Sequence, residues 1–206
     1  MAAVNDTLPG LTMYYRDCNL SDDRIARYRA DLTVLERGFT DVSSFAEGMR
    51  HNLRFSIASN KAVAMGTINP EVAKYGFCLI SAPAYFRVLD VYAVGDKTQV
   101  LLLHFAAEHL DVMRRLRTSK DQEIIDAGRR SLDAKLRMPP SEVLHEPFWL
   151  QRTAHPIGMG DDGALFPVNE SKAAPEASRP ASDSVTKPMD RRAGDRKRGF
   201  WRTWFG

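Results

Sequence analysis

Apolar and polar residues along this chain follow two competing periods, and the helical one dominates. After Ser21, apolar side chains fall at Ile25, Tyr28, Leu32, Leu35 and Phe39, which is one stripe of a helix. Ser21 suits the capping position, Asp22 and Asp23 suit the positive end of the dipole, and Gly38 suits the stop. Ser44 with Glu47 has the spacing of a capping box, and Phe45, Met49 and Leu53 continue a stripe. Asn69-Pro70-Glu71 places a capping residue before a proline at the first helical position, and Ser81-Ala82-Pro83 hints at another start. Asp96 with Gln99 opens a predicted helix over 100–117. Ser119 with Gln122 opens another, with Ile124, Ile125, Leu132 and Leu136 on its apolar side, ending at Arg137 before Pro139-Pro140. The run from Gln99 to Ala107 is apolar on nearly every face, as expected of a central helix or one buried in an oligomer interface.

This pattern predicts a mostly all-α fold, a compact domain of about five to six helices over residues 21–150. Residues 1–20 read as an N-terminal extension, 151–190 as a largely disordered linker, and 191–206 as a separate tip. Two segments also fit a strand period. Leu53, Phe55 and Ile57 alternate, and Arg87–Val94, Gly95-Asp96 and Gln99–Phe105 could form a hairpin. A mixed α+β fold is therefore the alternative.

Charge divides the chain more sharply than its total of +3 implies. Residues 187–206 hold seven Lys/Arg and two Asp, a net of +5, which leaves 22 basic and 24 acidic residues, a net of −2, for the rest. A near-neutral body gives no electrostatic case for nucleic acid, so that partner is not expected. Cys18 and Cys78 are too few for a disulfide framework and lack metal spacing. The start MAAVNDTLPG has no secretion-signal pattern, and the longest uncharged stretch, Tyr75 to Phe86, falls short of the roughly 20 residues that a membrane span needs. The expected location is cytoplasmic, or peripheral on the inner face of a membrane.

The strongest functional signal is the segment Arg196–Gly206. Phe200, Trp201, Trp204 and Phe205 share one arc of about 140° when wound as a helix, flanked by Arg196, Lys197, Arg198 and Arg202. Such residues favour an anionic lipid headgroup layer, each cation contributing about 1 kcal/mol there. These eight residues are the expected membrane- or partner-binding site, with a protein groove as the alternative partner. Residues 168–190, rich in Ala, Ser, Pro and charge, read as a tether spanning roughly 25–30 Å as a coil. The tail resembles the C-terminal membrane-targeting peptides of bacterial peripheral proteins such as the actin-like cell-division protein, which implies recruitment to a membrane. Its arginines also resemble, in a general way, the basic C-terminal signal of type IV secretion substrates, which implies export.

The body offers little chemistry. His104, Glu108 and His109 in HFAAEH miss the spacing of a helical zinc site by one residue. Lone His51 is not a ligand set, and Arg114, Arg115 and Arg117 read as cations at a helix C-terminus. No phosphate loop, nucleophile elbow or paired-carboxylate motif stands out. No catalytic residue, cofactor or metal is expected. The reading is a non-enzymatic accessory or adaptor protein whose helical body, with a homo-oligomer among its options, is recruited through the tip. The alternatives are an enzyme or ligand-binding helical domain with an incidental targeting tail, and a secreted effector.

Overall fold

A computed structural model describes residues 1–168 of the chain. The chain divides into two units, Met1–Glu170 and Ser171–Gly206. In chain order the elements are α1 (Ala2–Thr7), β1 (Thr12–Cys18), α2 (Asp22–Ile25), β2 (Thr33–Glu36), β3 (Thr40–Ser43), β4 (Leu53–Ser59), β5 (Val63–Ala64), β6 (Phe77–Ile80), β7 (Ala84–Val94), β8 (Lys97–Phe105), α3 (Leu110–Met113), α4 (Ser119–Lys135) and α5 (Pro147–Thr153). The strands form one eight-stranded sheet in the order β2-β7-β8-β4-β1-β3-β6-β5. Only β4 and β8 pair in parallel; the other neighbours are antiparallel.

The expected all-α fold is overturned, and the reason lies in how the sheet is covered. Val100 and Leu102 of β8 enter one apolar core with Phe55, Ile57, Phe86 and Val88. Leu101, Leu103 and Phe105, pointing the other way, enter a second core with Leu110, Met113 and Ile124. A strand buried on both faces needs no polar alternation, so its sequence reads like a buried helix. The predicted helix over 100–117 is therefore a central strand followed by short turns. β7 and β8 form the alternative hairpin, turning at Gly95-Asp96, with a register shift between Val88 and Asp90.

The stripe after Ser21 yields one helical turn, and Leu35 then lies in β2. The predicted Ser44 helix is replaced by a loop and the start of β4, and Pro83 follows a cis bond leading into β7. Two local signals hold. Asn69 accepts from the Glu71 amide at 3.1 Å and starts a tight helical turn at Pro70–Tyr75. α4 runs over Ser119–Lys135, closed by a capping box from Thr118 to Asp121, one residue earlier than predicted.

α4 packs over the sheet because Gly128 lets it approach β8. A Cβ there would lie 3.1 Å from Leu101 Cδ2. Arg129 binds Asp90 through two bonds of 2.7 and 2.8 Å, and Arg87 binds Asp121 at 2.7 Å, both tying α4 to β7. Arg54 and Asp17, opposite each other on β4 and β1, pair through two bonds of 2.7 Å. Ile157 and Met159, beyond Leu150, are buried in the first core. Trp149 stacks on Tyr75 and meets Phe77 edge-on. No described helix is long and apolar enough to cross a membrane.

Candidate anion-binding cleft

The strand β1 lies between β4 and β3, so its alternate residues point into opposite faces of the sheet. Tyr14, Arg16 and Cys18 share a face, with Cys18 in the first core. Arg16 therefore comes out of the sheet beside the first core and is only 6% exposed. It opens into a cleft of about 590 Å³ walled by Glu36, Phe39, Arg152, His155, Asp161 and Phe166.

The outer wall of this cleft is the segment from His155 to Phe166. It is pinned to the body where the Tyr28 hydroxyl donates to the Ile157 carbonyl at 2.7 Å and the Gly158 amide donates to Glu36 Oε2 at 2.8 Å. Met159 and Leu165 form an antiparallel bridge that folds the segment back on itself. Arg24 donates to the Asp161 carbonyl at 2.9 Å, and the Arg37 guanidinium sits 4.4 Å over the Phe166 ring. Phe39, at the tip of the β2–β3 turn, is 66% exposed at the cleft mouth.

The guanidinium of Arg16 is under-compensated. Its Nη2 donates to the His155 carbonyl, its Nε has no partner, and no carboxylate lies within ion-pair distance among the described residues. Burial pushes its pKa down, while Cys18, Glu36, Asp41 and Tyr28 act in the opposite direction through space. Both Glu36 oxygens are already held by backbone amides, those of Gly38 and Gly158. Asp41 of β3 is held by Arg152 of α5, Nε to Oδ2, at 2.9 Å. The other Asp41 oxygen is buried without a partner. Burial raises the Asp41 pKa, opposed by Arg152 and then Arg16. Arg152 itself lies over the rings of Phe77 and Phe148, at 4.8 and 5.4 Å. A buried cation without a bonded counter-charge costs several kcal/mol, and an anionic ligand reaching Arg16 offsets that cost.

None of the described residues that the sequence singles out for chemistry lines this cleft. Arg196, Lys197, Arg198, Phe200, Trp201, Arg202, Trp204 and Phe205 fall outside the described residues. His104 is on β8, buried, with Nδ1 2.9 Å from Ser59 Oγ; burial brings its pKa down to about 4. His109 faces Asp6 at 3.3 Å, and Arg117 pairs with Asp31 at 2.6 Å. His51 stacks on His145 with centroids 5.5 Å apart. Sequence reasoning missed Arg16, Asp41 and Arg152, because three positions far apart in the chain meet only through the strand order and the return of α5.

No family model and no curated protein matches the sequence. Solved structures do match in part. The ADP-ribosyltransferase HopU1 of Pseudomonas syringae pv. Tomato DC3000 is 16% identical, with a TM-score of 0.42 over 46% of each chain. The Vis toxin, an ADP-ribosyltransferase from Vibrio splendidus, is 13% identical, with a TM-score of 0.39 over 50% of this chain and 52% of its own. Exoenzyme S from Pseudomonas aeruginosa is 12% identical, with a TM-score of 0.40 over 55% of this chain and 61% of its own. The chain thus spans about half the length of the first solved structures it matches. The expected adaptor on a helical body is corrected here, because the body is a sheet. All three TM-scores lie below 0.5.

Proposed function

We propose that the chain is an enzyme whose Arg16 cleft binds a phosphate-bearing nucleotide. The observation that carries this reading is Arg16 itself, a buried guanidinium with an unpartnered Nε, no ion pair among the described residues, and open space before it. Guanidinium groups match phosphate oxygens in fork geometry, and Arg152 supplies a second one on the same wall. Phe39 and Phe166 offer aromatic surface to a planar base, and a cleft of about 590 Å³ falls within the range of small-ligand sites.

The experiment is calorimetric titration with NAD, a diphosphate carrying two planar ring systems, and with pyrophosphate as an anion lacking a base. Binding is expected to weaken with added salt and to fall about 10- to 100-fold in Arg16→Met, the loss of one or two charged hydrogen bonds. Folding of the variant is checked by circular dichroism. Equal affinity in a folded Arg16→Met protein, or no binding of either probe by the unaltered chain, overturns the reading.

We also propose that Arg196–Arg202 and the aromatics Phe200, Trp201, Trp204 and Phe205 bring the protein to an anionic membrane surface, with a protein groove as the alternative partner. This rests on the +5 charge of residues 187–206 against −2 elsewhere. The full chain is expected to float with phosphatidylglycerol vesicles and to lose most of that association when Trp201 and Trp204 become alanine. Flotation unchanged by the double substitution refutes the lipid reading.

A further inference from the structure

We propose that an anionic ligand in the cleft competes with Asp41 for Arg152, so that binding is accompanied by uptake of a proton on Asp41. This rests on the cleft reading above and adds to it a charge exchange within the wall.

Asp41 depends on few partners. Its Oδ2 meets Arg152 Nε at 2.9 Å, and its Oδ1 is buried with none. Its side chain is 12% exposed, against 38% for Arg152. Arg152 thus has one side on Asp41 and another on the cleft, its guanidinium set against the faces of Phe77 and Phe148. A phosphate beside Arg152 takes up its remaining donors and adds negative charge near Asp41. Both effects weaken the hold on the carboxylate, and a carboxylate buried without a cation binds a proton. The step balances simply: Asp41 carboxylate plus one proton from solvent gives the neutral acid, and Arg152 stays charged throughout.

Of the charged groups on the cleft wall, Arg152 and Arg16 act on Asp41, while Glu36, His155 and Asp161 line the cleft itself. Arg16 on β1 acts through space and favours the carboxylate. Glu36 on β2 is held by two backbone amides. His155 and Asp161, on the outer segment, are largely exposed and lie 3.9 Å apart. His155 lines the cleft, so its replacement is the control for proton uptake elsewhere on the wall.

The test is NAD titration between about pH 5 and 7 in buffers of different ionisation heat, which yields protons taken up per ligand bound. The phosphodiester groups of NAD carry no proton over this range. Unaltered protein is expected to show net uptake, with affinity rising as pH falls by up to about tenfold per unit. Asp41→Asn is expected to bind with no uptake. Arg152→Gln is expected to bind more weakly and also without uptake, because Asp41 is then protonated beforehand. His155→Gln is expected to keep the uptake. Binding without uptake in the unaltered chain, uptake that survives Asp41→Asn, or uptake lost in His155→Gln overturns the linkage while leaving the cleft intact. Absence of NAD and pyrophosphate binding overturns the cleft reading, and the linkage with it.

Discussion

Replacing Arg87 with alanine is expected to destabilise the protein by about 3–5 kcal/mol, the cost of removing one partner of a buried ion pair. Arg87 is 1% exposed on β7. Its Nη2 donates to Asp121 Oδ2 at 2.7 Å, and its Nη1 donates to the Leu116 carbonyl. Asp121 is 8% exposed and also closes the capping box at the start of α4. Truncation therefore leaves the Asp121 carboxylate without its cation, at the start of the helix that covers the second core, and takes one of two donors from the Leu116 carbonyl. Urea unfolding should show a lower midpoint with little change in slope, and melting should fall by about 10 °C. Arg87→Met with Asp121→Leu should recover much of the loss, since an apolar pair of similar size has no charge to strand. A loss under about 1 kcal/mol for Arg87→Ala would mean that water reaches the pair and the helix is not anchored there.

What was legible in the sequence depended on how local each signal is. The start of α4 and the Pro70 turn were readable because a cap, a proline and a charged residue fix them within a few positions. One face of α4 is exposed, so its 3.6-residue period survives. β8 reads as a helix before it reads as a strand, because Leu101 and Leu103 fill one core while Val100 and Leu102 fill the other. The Gly95-Asp96 turn pointed to the hairpin, but Asp96 also has capping-box spacing to Gln99. The sequence cannot show that the Asp96 side chain is 84% exposed, in a turn beside Lys97. The cleft was still less visible. In Tyr14-Tyr15-Arg16-Asp17-Cys18, Arg16 looks like a surface charge near a chain end. Only the placement of β1 between β4 and β3 buries it, and only the return of α5 brings Arg152 to Asp41.

The outer wall of the cleft depends on a single glycine, and Gly158→Ala is expected to cost about 2–5 kcal/mol. Gly158 has φ +71°, a left-handed conformation that costs a residue with a Cβ about 1–2 kcal/mol. The added Cβ would also lie 1.9 Å from Val34 Cγ1 and 3.1 Å from the Leu35 carbonyl oxygen. Val34 is 1% exposed in the first core and cannot retreat, so overpacking adds about 1–3 kcal/mol. Gly10→Ala separates the two causes, because Gly10 has φ +70° but nothing within 4 Å of its added Cβ. It should cost only the conformational part. The strain at Gly158 is relieved if the segment lifts from β2, which breaks the bond from the Gly158 amide to Glu36 and the bond from the Tyr28 hydroxyl to the Ile157 carbonyl. Glu36 then loses an amide that holds its charge, and Asp161 and Phe166 leave the cleft wall. Gly158→Ala should therefore weaken NAD binding as well as stability, while Gly10→Ala leaves binding unchanged. Equal effects of the two alanines on both measurements would show that the 155–166 segment does not form the cleft.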